Sequence, residues 1–175
     1  MAGSGIRFRV TAAIAAAASV VTLGLGGCAN SPSTAATVGG RTFTTSEVTR
    51  ASQELAKINP RLAEPGLVLS VKMRGAAAEQ IAASRGIDLT AETNKLLPQL
   101  QIPPQLLSQP AGQSFVMDVV KADALAQKLG QAEMGSALAF IPVHVNPRYG
   151  VKGLEDVANS EGGLGSGSLS RPAAQ

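Results

Sequence analysis

The sequence predicts a mainly α-helical domain with a small β-sheet that pairs segments near the two ends of the mature chain. Three observations carry this. Between Thr44 and Leu129 apolar residues recur at spacings of three and four, the period of a helix face. Near the start, Val38-Gly39-Gly40-Arg41-Thr42-Phe43 sets two glycines between β-forming residues. Near the end, Val143-His144-Val145 alternates apolar and polar between Pro142 and Pro147.

The first element is a leader. Met1 to Arg9 holds Arg7 and Arg9 and no acid, and Val10 to Leu25 holds no charge at all. A basic stretch, an apolar stretch and then small residues is the order a secretory signal peptide needs. Phe8 separates the two arginines, so there is no twin-arginine pair and the general secretory route is expected. Leu25-Gly26-Gly27-Cys28 looks like a lipobox. A thiol is the nucleophile suited to take a diacylglyceryl group, and small residues before it admit a membrane peptidase. Residues 1–27 are therefore expected to be removed, with Cys28 lipidated and holding the protein on the outer face of the cell membrane; two or more acyl chains give stable anchoring. An uncleaved transmembrane helix is disfavoured because alanine, which dominates the segment, contributes little to insertion.

Removing the leader changes the charge. Two of the fifteen basic residues and none of the twelve acids lie in it, so the net charge falls from +3 to +1. With Phe43, Phe115, Phe140 and Tyr149 as the remaining aromatics and no basic run, no nucleic-acid partner is expected. Cys28 is the single cysteine and His144 the single histidine, so neither an internal disulfide nor a zinc site is expected, and no cofactor. The mature chain of about 148 residues is enough for one domain.

Residues 28–37, rich in Ser, Thr, Ala and Pro, read as a lipid-anchored tether. The domain proper is expected over residues 38–152. It opens with the Gly39-Gly40 hairpin, and Thr44-Thr45-Ser46-Glu47 follows as a capping box. Val48, Ala51, Leu55 and Ile58 make the first apolar stripe, which Asn59-Pro60 ends. A second helix is expected from Glu64-Pro65 to about Ser84, with Gly86 as a left-handed cap. Its face of Leu67, Val71, Gly75, Ala78 and Ala82 is small enough to admit a close neighbour. Thr90 is expected to cap a third helix through Leu97, where Pro98 breaks it. After Pro103, Pro104 and Pro110, a long helix is expected from about Gly112 to Leu129 or on to Ala139, with Phe115, Val119, Ala122, Leu125 or Ala126, and Leu129 on one side. The strand around Val143 to Val145 is expected to pair with the one around Arg41 to Phe43, since two strands alone are marginal in water. Residues 153–175, mostly Gly, Ser, Ala and Pro, read as a disordered tail that buries nothing.

This order of elements resembles the SurA N-terminal domain family. The resemblance rests on Val-Gly-Gly-Arg-Thr-Phe followed by Thr-Thr-Ser-Glu-Val, on the small-residue helix Ala76 to Ala82, and on Arg85-Gly86-Ile87-Asp88-Leu89-Thr90. The run Asn146-Pro147-Arg148-Tyr149-Gly150 is similar to that of small actinobacterial lipoproteins carrying this domain, and the match covers roughly Ala36 to Gly150. It implies a helical peptide-binding-type fold, shared in outline with trigger factor, and a chaperone that holds unfolded or extended polypeptides. Many relatives add a parvulin prolyl-isomerase domain; the roughly twenty-five residues after Gly150 are too few for one, so no isomerase activity is expected.

Several residues invite a role. Leu67, Met73, Leu96, Leu97, Leu106 and Leu107 are candidates for a greasy peptide-binding groove, with plain core as the favoured reading. Asn146, Pro147, Arg148, Tyr149 and Gly150 read first as a structural corner, with Arg148 stacked on Tyr149, and second as a docking site. His144 reads as a half-exposed strand residue, because no orienting acid or nucleophile accompanies it. Asp118, Lys121 and Asp123 read as a solvated helix face. With no nucleophile, metal or phosphate motif, an enzyme is not expected. Two functions remain: a membrane-anchored chaperone-like binder of unfolded polypeptides, and an adaptor lipoprotein serving one fixed envelope partner.

Overall fold

The computed structural model describes residues 31–151 together with Gly153 and Leu154. The leader, Cys28 and the tail from residue 155 onward lie outside the described residues. Six α-helices and a three-stranded antiparallel sheet make up the described fold.

The chain enters as strand β1 (Thr34–Val38), turns at Gly39-Gly40 and returns as β2 (Arg41–Thr44). Both glycines have positive φ, 53° and 88°, as a two-residue hairpin turn with the right twist demands. Strand β3 (Val143–Val145) lies on the other side of β1, giving the order β2-β1-β3. Two expectations are corrected here. Thr34 to Thr37 is not tether but the central strand, and β3 pairs with it rather than with Arg41 to Phe43: Ala36 faces Val145, Thr37 faces His144 and Val38 faces Val143. The reason is size. Helix α2 (Pro65–Ser84) packs against β1, and Ala35, Ala36 and Val38, all 1% exposed or less, let it approach. A register shift between Thr34 and Ala36 leaves Ala35 as an extra, bulged residue, so two successive alanines are buried.

Helix α1 (Thr45–Ile58) starts at the expected capping box. The Thr44 hydroxyl accepts from the Glu47 amide at 3.2 Å, and the Glu47 carboxylate accepts from the Thr44 amide at 3.4 Å. Its stripe buries Val48 and Leu55, with Ala51 and Ile58 half-buried beside them. Asn59 ends the helix, and its side chain caps the tight turn Pro60–Leu62 by accepting from the Arg61 amide at 3.1 Å.

Helix α2 has proline at its first position and Gly86, at φ 65°, just past its end. Of its expected face Val71, Gly75, Ala78 and Ala82 are buried while Leu67 is exposed, and the burial takes in Val68, Leu69, Met73, Ala76, Ala77 and Ile81 as well. A helix apolar on nearly every side is a central helix, and α2 is packed on by α1, β1 and the helices α5 (Pro110–Leu129) and α6 (Gln131–Ala139). Helix α3 (Leu89–Leu96) is capped by Asp88, which accepts from the Ala91 amide at 3.0 Å, not by Thr90. Aspartate holds an ionised acceptor at a helix N-terminus, where the backbone amides favour negative charge. Leu97–Gln99 follows as a single 3₁₀ turn. Pro104–Leu107 forms the short α4, which packs with α3 against α5.

Pro110 begins α5 instead of preceding it, since a first-turn proline loses no hydrogen bond. The helix does not run on to Ala139. Gly130, at φ 82° and ψ 156°, breaks it, and α6 starts afresh. The expectation that residues 153–175 bury nothing fails at its start: Leu154 is 5% exposed and belongs to the core.

Candidate functional site

Among the described residues, two hollows border both α2 and α5. The first, about 340 Å³, lies between α1, α2 and α5. Its floor is Ala51, Leu55, Val68, Ala111 and Phe115, and its rim is Glu47, Arg50, Glu54 and Lys72. Each wall follows from a local signal. The capping box fixes where Glu47 stands on α1, Arg50 and Glu54 follow one and two turns later, and Pro110 sets the start of α5 beside them. Lys72 reaches across from α2 to within 3.9 Å of Glu47, with its side chain 15% exposed. The floor accepts an apolar side chain, and the two acids and two bases at the rim suit a polar main chain or a charged flank. Arg50 and Glu54 make no ion pair among the described residues. The second hollow, about 330 Å³, lies between α2, α3 and α5, with Ile87, Leu89 and Met117 on its apolar side and Glu79 and Lys121 on its polar side. Thr93 borders it, but the Thr93 hydroxyl is closed to solvent and has no hydrogen-bond partner among the described residues.

Between the two hollows sits a carboxylate that corrects an expectation. Asp118 is not on a solvated face: its side chain is 14% exposed and is pressed against α2 at Gly75. A methyl group on Gly75 would stand 2.6 Å from Asp118 Oδ1, so that glycine is what lets the carboxylate into the helix seam. No hydrogen bond reaches Asp118 among the described residues; the nearest cation, Lys121 Nζ, is 4.0 Å away. Lys121 is committed to Glu79 at 2.5 Å, and Glu79 also pairs with Arg41 of β2 at 3.0 Å. Burial pushes the Asp118 carboxyl up to about 6. Lys72 opposes that most strongly, then Lys121 and Arg41, while Glu79 adds to it. Burial likewise raises Asp123, against the pull of Arg74. A signal for Asp118 did exist in the sequence. Phe115, Asp118, Ala122 and Leu125 are spaced three, four and three apart, so the buried stripe of α5 runs through the aspartate.

The six apolar candidates are not brought together. Met73, Leu96 and Leu106 are 0%, 6% and 3% exposed and belong to the core, with Leu97 half-buried against it. Leu67 and Leu107 are exposed, and none of the six lines either hollow. A side chain shut inside the core offers a client nothing, so Met73, Leu96 and Leu106 follow the favoured core reading and the alternative, a greasy groove, does not form from this set. Phe140, at 88% exposed, is the most open of the large apolar side chains among the described residues.

The Asn146 to Gly150 run forms a corner tied to the start of the domain. The Asn146 amide donates to the Ala35 carbonyl at 2.8 Å, and its side-chain nitrogen donates to the Thr34 carbonyl at 3.2 Å. Its side-chain oxygen accepts from the Arg148 amide at 3.2 Å. The Arg148 guanidinium lies 5.0 Å from the Tyr149 ring centre and donates to the Thr45 hydroxyl at the head of α1. All of these contacts are internal: those to Thr34, Ala35 and Thr45 tie the corner to the start of the domain, and the others lie within the corner. His144 is exposed on the edge strand, opposite Thr37. Among the described residues, no three His, Cys, Asp or Glu side chains cluster as metal ligands, and no helix is long and apolar enough to cross a membrane.

No family model, curated protein or solved structure matches the chain.

Proposed function

We propose that this chain is a membrane-anchored extracytoplasmic lipoprotein, lipidated on Cys28, whose helical domain binds polypeptide without enzymatic or isomerase chemistry. Between the two modes of binding, an adaptor that serves one fixed envelope partner fits the surface better than a general holder of unfolded chains. The observation that carries this is the kind of apolar surface on offer. Among the described residues the exposed large apolar side chains are Leu67, Leu107 and Phe140, while the hollow between α1, α2 and α5 is small and rimmed by Glu47, Arg50, Glu54 and Lys72. A general holder uses a broad, adaptable greasy surface. A small hollow with placed charges selects one segment, because a wrong partner leaves those charges unpaired. The leader, the lipobox and the resemblance to the SurA N-terminal domain family support the cellular setting and the polypeptide partner.

The test is site-specific photocross-linking in the intact envelope, with the photoreactive residue placed at Ser114 on the groove wall of the full chain. One discrete adduct is expected, lost when Ala51→Trp fills the floor. A smear of many adducts would restore the general chaperone, and no adduct would remove the groove from consideration.

A further inference from the structure

We propose that the corner of Arg148 and Tyr149, together with Ser31 to Ser33 and the first residues of α1, is a membrane-contact face that sits on anionic lipid headgroups. This rests on Cys28 being lipidated, as the proposed function has it.

The chain leaves Cys28 almost no slack. Residues 31–33 are already fastened to α1: the Thr45 amide donates to the Ser33 carbonyl at 2.8 Å, and the Thr45 hydroxyl donates to the Pro32 carbonyl at 3.1 Å. The Thr34 amide closes the turn onto the Ser31 carbonyl at 2.9 Å. Only Ala29 and Asn30 then separate Cys28 from Ser31. Three residue steps span at most about 11 Å, the width of one helix with its side chains. Acyl chains in the hydrocarbon core hold Cys28 at the headgroup layer, so the surface beside Ser31 cannot stand clear of it.

The chemistry of that surface suits the layer. Arg148 donates to the same Thr45 hydroxyl that donates to Pro32, so its guanidinium lies two hydrogen bonds from the chain leading to Cys28. It is exposed and makes no ion pair among the described residues. It also donates to the Tyr149 hydroxyl at 3.2 Å and lies over the Tyr149 ring, and both of these partners are neutral. Glu47, two residues along α1 from Thr45, faces Lys72 at 3.9 Å. Arg50, one turn on from Ser46, is a second exposed cation without an ion pair among the described residues, and it shares a hollow with Thr44 and Ser46. A guanidinium with no acid beside it offers a fork of donors that matches a phosphate. Tyrosine, with an apolar ring and a polar tip, is a residue of the membrane–water interface. The groove between α1, α2 and α5 has Glu47 and Arg50 on its rim, so on this face it opens close to the bilayer and takes a segment that runs near it.

The test uses Tyr149 as its own reporter, since it is the single tyrosine and the chain has no tryptophan. The full lipidated chain is reconstituted into phosphatidylcholine vesicles, with or without phosphatidylglycerol, that contain a phospholipid bearing a nitroxide on its headgroup. Tyr149 fluorescence is expected to be quenched, and more strongly when phosphatidylglycerol is present. A Gly-Ser insert of about twenty residues between Asn30 and Ser31 lets the domain stand off. In phosphatidylcholine alone its quenching should be lost while the protein still floats with the vesicles. Arg148→Gln should abolish the increment that phosphatidylglycerol brings, and Arg148→Lys, which keeps the charge, should retain it. Native quenching no stronger than that of the insert variant overturns the proposal and leaves the anchor standing, and an increment that survives Arg148→Gln overturns it too. A native chain that does not float with the vesicles removes the anchor and the contact face together. Because no partner is present, the outcome is independent of whether the Ser114 cross-link forms.

Discussion

Two seams hold this domain together, and they are built on opposite terms. The seam between α2 and α5 is helix on helix, filled by Val68, Met73, Ala76, Val116, Val120 and Leu125, each nearly or wholly buried. Its strength is apolar burial, and it carries one discordant group, the Asp118 carboxylate against Gly75. The seam between the two ends of the described domain is strand on strand, with Ala35, Ala36, Val38 and Phe43 turned into the core. There β1 is flanked by β2 and β3, and Asn146 fastens the corner to Thr34 and Ala35. In the first seam stability depends on packing and on pH. In the second it depends on hydrogen bonds made between residues more than a hundred positions apart. A domain arranged this way can vary a charge in its helical seam without loosening its ends.

The largest effect should come from the centre of the strand seam. Ala36 lies opposite both Phe43 and Val145, so Ala36→Pro disturbs the ladder in the middle of the sheet. Proline is excluded from central strands for this reason, and a loss on the order of 3 kcal/mol or more is expected in urea denaturation of the full chain. A loss below about 1 kcal/mol would mean the helices stand without the sheet, and the comparison of two seams would collapse to one.

Asp118→Asn tests the helical seam, with the opposite sign. Burial raises the folded-state pKa to about 6 from an ordinary 3.8, so the ionised carboxylate is a penalty on the folded state. That penalty is fully present above about pH 6, shrinks as the pH falls and is gone below 3.8, where folded and unfolded chains are both protonated. The native protein should therefore gain stability on mild acidification. The asparagine variant should be more stable than the native chain at pH 7 by on the order of 2–3 kcal/mol, with the difference vanishing toward pH 4. Denaturation midpoints at the two pH values decide it; equal gains at both would point to packing instead of charge.

The two seams also differ in how much of them the sequence disclosed. The capping box at Thr44 and Glu47, the Gly39-Gly40 turn and the Pro65 start are local signals, made by residues within four positions of one another, and the structure has each where it was expected. Strand β1 was hidden because Ala35 and Ala36 interrupt the β-branched Thr34, Thr37 and Val38 and break the alternation of a strand; its partners, β3 and α2, lie far along the chain. Asp118 was hidden differently. Its place in the buried stripe was readable, but an acid there is read as solvated unless the glycine facing it is known, and Gly75 is forty-three positions away. The six apolar candidates divide for a third reason: composition identifies greasy residues without saying which of them the core consumes, and it consumes Met73, Leu96 and Leu106 but not Leu67 and Leu107.

A smaller effect sharpens the strand seam. Asn146→Ala removes the hydrogen bond to the Thr34 carbonyl and the cap on the Arg148 amide together. Both groups lie near the surface and regain water in part, so a loss of about 1–2 kcal/mol is expected. Hydrogen exchange should show it as faster opening at Thr34 to Val38, with the amides of α2 and α5 unchanged. Uniform acceleration through the whole domain would show that the two seams open as one unit.

The smallest effect is expected at Phe140, which belongs to the strand seam by position and to neither seam by burial. It follows α6 directly and precedes β3 by two residues, yet it is 88% exposed while its neighbour Ile141 packs on the core. A side chain that stays in water contributes nothing to folding through burial, so Phe140→Ala should change stability by no more than about 0.5 kcal/mol. An aromatic ring held open on an ordered helix end is, however, the kind of residue that anchors a partner, because few rotamers are lost when it is covered. If the adaptor reading holds and the partner reaches this end of the domain, Phe140→Ala lowers the yield of the Ser114 adduct in the envelope while the thermal melt stays put. A melt that falls by several degrees would place the ring in the strand seam after all, and an unchanged melt with an unchanged adduct would confine the partner to the groove.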